Sequence, residues 1–339
     1  VEYFRGNAKQ LAEDGYFTDF ISNGVSTELC FMAFCAFTLI IIFAGVQNGI
    51  ERVSKIMMPI LIVLSVIIAV YSVTRPGALA GVKYFLVPNV KNFSWMTVVS
   101  AMGQMFYSLS IAMGILITFG SYMKKDTAIE DSTRNVEIFD TAIAMMAGLM
   151  IIPAVFAFSG GNPDTLKAGP SLMFITIPKV FANMGFGTAI GILFFVLVLF
   201  AAVTSAIALT ESAVSTFEDE LGWGRKKSTV ITGIIMLVLG SLSSLGYGPL
   251  AFVKIIGMQF LDFFDFMTNS VMMPIAALMT SLLVSKVVGI DRIEEEIRHG
   301  ESKFRRKKVF VVMIKYLCPV FVLIILISSV ANAFGWISM

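Results

Sequence analysis

Gly103-Gln104-Met105-Phe106-Tyr107-Ser108-Leu109-Ser110-Ile111-Ala112-Met113-Gly114 lies inside a run, 95–122, apolar enough to span a bilayer. Its middle carries two serines, a glutamine and flanking glycines. Hydrocarbon offers no partner to a freed N–H or C=O, so irregular backbone at membrane depth survives only where it lines a cavity or is buried in protein. A spanning helix interrupted in this way exposes carbonyls and N–H groups at its break, and such breaks bind ions and solutes. The stretch therefore predicts an all-α membrane bundle with one discontinuous helix.

The rest of the chain agrees. Hydrophobic residues make up 57% of 339 and charged residues 14%, against about 25% charged in soluble domains. Windows of about 20 apolar residues fall at 29–47, 54–74, 95–122, 138–158, 186–215, 228–246, 258–288 and 308–334, which predicts about eight transmembrane helices. Their connections alternate in character. Lys124-Lys125, Arg225-Lys226-Lys227 and the stretch from Arg292 to Lys308 are basic, whereas 74–94, 160–170 and 246–249 are Gly/Pro-rich and poor in charge clusters. The positive-inside rule puts the basic set in the cytoplasm of a cell whose inner, or plasma, membrane holds the protein. Val1 and Met339 then both lie outside. An outside start with no basic n-region and apolar h-region is expected of a chain whose upstream helices lie beyond it. The apolar stretch 170–183 is too short to cross and predicts a helix or helical hairpin on the outer face, or one re-entering the membrane, a plain surface loop being the alternative.

Other classes of function find little support. Cys30, Cys35 and Cys318 have no metal-binding spacing and read as small buried hydrophobes. His299 is the single histidine and sits in a basic connection. No nucleophile–base pair, GxGxxG or P-loop occurs, so neither an enzyme nor ATP coupling within the chain is expected. Nothing calls for a nucleic-acid partner; the lipid bilayer is the evident one.

Several segments, in order, carry a resemblance. They are Gly49-Ile50-Glu51-Arg52 through Met57-Met58-Pro59, the run 103–114, Thr118-Phe119-Gly120-Ser121-Tyr122, Phe200-Ala201-Ala202-Val203-Thr204-Ser205, Phe217-Glu218-Asp219-Glu220-Leu221 and the stretch Asp265 to Gly289. Together they resemble the neurotransmitter:sodium symporter family, most closely its bacterial sodium-dependent amino-acid transporters. The resemblance implies a LeuT-like inverted-repeat bundle, in which broken helices form a binding site at the membrane midplane. It also implies that 1–339 is a single but partial transmembrane domain, a C-terminal fragment beginning in the outer loop before the family's fourth helix.

The same resemblance implies site residues. Two co-transported Na+ ions are expected. In Ala201-Ala202-Val203-Thr204-Ser205 the Ala201 carbonyl and the hydroxyls of Thr204 and Ser205 share one helix face and match the family's second sodium site. Read alone, such hydroxyls can equally bond back to an earlier carbonyl. Ser108 and Asp140 match the first sodium site. A carboxylate in a span is a functional candidate by default, though Asp140 could also be a solvated residue near Arg134. Many relatives carry Asn there, and Ala144 replaces the serine that ligates chloride in chloride-dependent members. The resemblance therefore implies chloride independence, with Asp140 as the fixed counter-charge. The substrate, an amino acid with a hydrophobic or aromatic side chain, would meet Tyr107, Ser110, Met113, Ser205 and Leu209, although Met113 could simply pack in the bundle. Ala112 stands where relatives often carry glycine. Asp265 with Gln104 matches the extracellular gate, and Asp219 with Tyr122 the cytoplasmic one. Glu211 is a further acid deep in a span. A homodimer is left open. So are two other readings of the scaffold, a ligand-binding channel or sensor and a non-functional remnant.

Overall fold

A segment that crosses hydrocarbon must satisfy its own backbone hydrogen bonds, and the apolar runs fold accordingly as helices. The computed structural model describes residues 2–3, 5–13, 15–162, 166, 169–301 and 303–336. Two short helices, α1 (Ala8–Leu11) and α2 (Tyr16–Ser22), precede the first long one. Seven helices among the described residues are long and apolar enough to cross a membrane. They are α3 (Gly24–Phe43), α4 (Val46–Val73), α8 (Ile129–Ser159), α10 (Gly187–Leu221), α11 (Arg225–Leu245), α12 (Phe260–Val288) and α14 (Lys307–Ala333). Between them come α5 (Ala78–Leu86), α9 (Gly169–Ala182) and α13 (Ile290–Gly300). The eighth expected span is the interrupted one. It consists of α6 (Trp95–Ser108) and α7 (Ile115–Ser121), of 14 and 7 residues, each shorter than the roughly 20 a crossing needs.

Proline shapes several of these helices. Wide π-type turns occupy 172–176, 266–272 and 313–317. Each ends two residues before a proline, Pro178, Pro274 or Pro319. Proline donates no N–H and its ring crowds the carbonyl four residues back, so the preceding turn opens and the register slips by one.

The chain divides into two compact units, one of residues 1–90, 142–210 and 217–253, the other of 91–141, 211–216 and 254–339. In the first, Leu61, Leu64 and Ile68 of α4 meet Ala154 and Val155 of α8, Ile177, Val180 and Phe181 of α9, and Phe194 and Leu197 of α10. This core takes in the stretch 170–183. α9 is helical, but Ile177, Val180 and Phe181 are fully buried at the centre of the unit, with the Phe181 ring edge-on to Phe194 at 5.5 Å. The stretch is too short to cross yet as apolar as a span, and burial against other helices satisfies that apolarity. Part of the connection expected at 160–170 (Pro163, Asp164, Thr165, Lys167 and Ala168), like Val1 and Met339, lies outside the described residues.

In the same unit α3 and α11 pack antiparallel. Gly24 faces Leu245 and Pro249, Gly240 receives Phe31, Gly233 receives Leu39, and Arg225 Nη2 donates to the Ile42 carbonyl at 2.9 Å. Glycines at the contact let large neighbouring side chains approach the backbone, the usual packing device of membrane helices.

The second unit holds the broken helix, the first part of α8, and α12, α13 and α14. Phe106, Met273, Ala277 and Val322 form its core. Ser281 Oγ donates to the Ile314 carbonyl at 2.6 Å and ties α12 to α14.

Candidate functional site

The break has defined ends. Ser94 and Thr97 form a capping box that starts α6, and the helix stops at Ser108. Beyond it Ser110 has φ 53°, Ala112 φ 63° and Gly114 φ 79°. Two non-glycine residues in the left-handed region within three positions cannot be part of a right-handed helix. Irregular hydrogen bonds hold the segment: Ser110 N donates to the Tyr107 carbonyl at 3.0 Å and Ile111 N to that of Phe106 at 3.1 Å. α7 restarts at Ile115 with Gly114 as its cap residue and no side-chain cap. The first N–H groups of α7 have no acceptor within their own helix and carry its positive dipole end. The interruption read from the sequence is thus present, between the expected residues.

Beside the break, Ser108 Oγ donates to Asp140 Oδ1 at 2.7 Å. These are the two side chains expected at the first sodium site, and the second unit brings them together. A hydroxyl and a carboxylate in contact make a hard, anionic oxygen pair of the kind that suits a small hard cation. Tyr107 is half exposed and Ser110 half buried. Ile111, Ala112 and Met113 pack against the Phe106–Met273–Ala277–Val322 core.

In the first unit, Thr204 Oγ1 donates to the carbonyls of Phe200 and Ala201, both at 3.0 Å. This is the back-bonding arrangement the residues alone left open. It sets the Ala201 carbonyl and the Thr204 hydroxyl side by side. Ser205 and Leu209 are exposed on the same helix.

Further along α10 the helix turns polar inside. Thr210, Glu211, Ser212 and Ser215 are buried, Glu211 completely. Tyr122 Oη, at the end of α7, donates to Glu211 Oε1 at 2.7 Å. One turn earlier in α7, Thr118 Oγ1 donates to Ser212 Oγ at 3.3 Å. Gly114 completes this seam: a Cβ there would stand 2.5 Å from Ser212 Oγ. Tyr122, expected at the cytoplasmic gate, thus has Glu211 as its described partner. Asp219, about two turns on, is exposed. Asp265 accepts from Asn269 Nδ2 at 2.6 Å, and no hydrogen bond to Gln104 occurs among the described residues.

The sequence reading missed Thr118 and Ser212, although a Thr-Glu-Ser triplet in a span was a signal. It also missed Glu28, whose carboxylate accepts from Ser241 Oγ at 2.6 Å and from Ser244 Oγ. That acid sits one turn inside α3, where a carboxylate requires such partners.

A multi-pass helical bundle with one span broken at its middle, and with a carboxylate and hydroxyl beside the break, has the architecture of a secondary transporter. The chain matches the sodium:neurotransmitter symporter family over residues 1–335. It is 33% identical over 334 residues to an uncharacterized sodium-dependent transporter of Bacillus subtilis (strain 168), YhdH, covering 97% of this chain and 73% of that protein. An uncharacterized sodium-dependent transporter of Haemophilus influenzae is 31% identical over 299 residues, 88% of this chain and 64% of its own length. The crystal structure of MhsT in complex with L-phenylalanine superposes with a TM-score of 0.82 at 32% identity, over 97% of this chain and 74% of that one. The chain belongs to the sodium:neurotransmitter symporter family. It is a multi-pass membrane protein of a family of sodium symporters, not enzymes, with sodium and a substrate as partners.

Proposed function

We propose that this protein carries a hydrophobic or aromatic amino acid into the cell together with two sodium ions, by alternating access and without chloride. The observation that carries the reading is the break at 109–114 with the Ser108–Asp140 contact at 2.7 Å beside it. The freed carbonyls and Ser108–Asp140 supply oxygens for one ion. Ala201, Thr204 and Ser205 supply them for the second: the Thr204 hydrogen swings off the Ala201 carbonyl and a cation takes its place between the two oxygens. The substrate's charged groups meet backbone at Tyr107 and Ser110, and Met113, Ser205 and Leu209 surround its side chain. That MhsT was crystallised with L-phenylalanine supports an apolar amino acid. Asp265 with Gln104 and Asp219 with Tyr122 form the outer and inner gates, and the basic connections face the cytoplasm of a cell whose inner membrane holds the protein.

The test is uptake of radiolabelled phenylalanine into proteoliposomes holding the full-length protein, with sodium imposed outside. Thr204→Ala/Ser205→Ala removes two ion ligands, and the sodium concentration for half-maximal uptake should rise at least tenfold. An unchanged sodium dependence in the double variant would overturn the assignment of the second site.

A further inference from the structure

Two connections far apart in sequence are clamped together in the second unit by an exchange of carboxylates. Glu301 Oε1, just before α14, accepts from the N–H groups of Glu130 at 2.6 Å and Asp131 at 3.2 Å, in the first turn of α8. In return the Glu130 carboxylate accepts from the N–H groups of Arg305 at 2.9 Å and Arg306 at 3.0 Å, where α14 begins. Each acid thus caps the other's helix, where orphan donors and the positive dipole end favour it. Arg306 Nη1 donates to Glu137 Oε2 at 2.9 Å, and Lys307 pairs with Glu294. Gly300 lies against the Thr127 carbonyl so closely that a Cβ would clash.

The clamp engages Glu130, Glu137, Glu294 and Glu301 and leaves both cations and the acids Asp291, Glu295 and Glu296 of α13 over. Lys303, Arg305 and Lys308 have exposed side chains with no ion pair among the described residues, and the Thr127 contact brings the exposed Lys124 and Lys125 to the same corner. Asp126 is the acid of that connection. Directly beyond the corner α14 enters its apolar run. Val309, Val312 and Tyr316 are 63%, 49% and 66% exposed, and the stripe continues through Val320, Leu323 and Ile327. The wide turn at 313–317 rotates the helix between Val312 and Val320, so these exposed side chains form a band that winds along α14. From Val309 to Ile327 the stripe is about 27 Å long at 1.5 Å per residue, close to the hydrocarbon thickness of about 30 Å.

A cationic cluster at the head of an apolar stripe one bilayer long fits a molecule with an anionic head and long acyl chains. We infer that the corner of Lys124, Lys125, Lys303, Arg305 and Lys308 binds the headgroup of an anionic phospholipid whose chains lie along α14. The clamp is what makes it a site, because it places two loops' cations together at the membrane surface.

Native mass spectrometry of the full-length protein, titrated with phosphatidylglycerol or phosphatidylcholine in detergent, tests this. The wild type should retain phosphatidylglycerol preferentially. Each basic residue at a membrane surface contributes about fivefold in affinity, or about 1 kcal/mol, so K303Q/R305Q/K308Q should lose on the order of 100-fold. K226Q/K227Q, on another basic connection, should retain the lipid as the wild type does. E301Q separates a built site from plain charge: it makes the corner more positive yet unfastens the clamp, so retention should fall. The inference is overturned if E301Q binds more tightly, if the triple variant retains the lipid, or if the control loses it equally. Competition by millimolar inorganic phosphate would assign the corner to a soluble anion instead. Efficient disulfide cross-linking of Val312→Cys between copies in phosphatidylglycerol membranes would assign the stripe to a protein interface. Either result also overturns the inference.

Discussion

Ala112→Gly separates a broken helix from a continuous one by its effect on stability. At φ 63° an alanine Cβ crowds the following carbonyl, which costs about 1–2 kcal/mol. Glycine removes that strain but loses roughly 0.5–1 kcal/mol more backbone freedom on folding. It also loses part of the methyl's packing against the core, up to about 0.8 kcal/mol, so the net expectation is between no change and a gain of about 0.5 kcal/mol. Had 95–122 been one uninterrupted helix, the same substitution would cost about 1 kcal/mol. Ala101→Gly, seven residues from the end of α6 and exposed on it, supplies that comparison within the same segment and should lose about 1 kcal/mol. Thermal unfolding of the detergent-solubilised protein reads the difference. At roughly 2–4 °C per kcal/mol for large domains, Ala101→Gly should lower the midpoint while Ala112→Gly leaves it unchanged or slightly raised, and the two should end about 2–6 °C apart. Equal destabilisation by both substitutions would refute the break at Ala112.

The remaining predictions concern transport in proteoliposomes. Sodium entering a site of low dielectric needs a nearby negative charge, since an unpaired buried ion is strongly disfavoured; with Asp140 supplying it, uptake should be equal in chloride and in gluconate. Asp140→Asn/Ala144→Ser should make uptake respond to chloride, and a wild type that already requires chloride would remove Asp140 from this role. If Asp265 serves the outer gate as proposed, Asp265→Asn should reduce uptake severalfold, through loss of a pairing charge, while the protein stays inserted and folded by size-exclusion profile. Wild-type turnover in that variant would mean Asp265 is surface charge only.

The sequence by itself determined the class, the approximate limits of the seven long spans, and the position of the break. These are local properties. Hydrocarbon enforces helix on any long apolar run, so composition and length alone fix the spans, and polar groups with glycines at 103–114 mark where a helix cannot stay regular. The pairing of Ser108 with Asp140, 32 residues on, could be expected only through resemblance, since nothing local links them. Three things needed the tertiary structure. α9 has the apolarity of a surface-lying helix and of a core helix alike, and only the neighbours in α4, α8 and α10 make it core. Glu211 reads as an acid in a span, but its partner Tyr122 is 89 residues away, and the donor that makes its burial tolerable is a matter of packing. The exchange of caps between Glu130 and Glu301 spans 171 residues. A carboxylate near a helix start carries no label in sequence saying which helix it caps; that is decided when two N-termini are folded side by side.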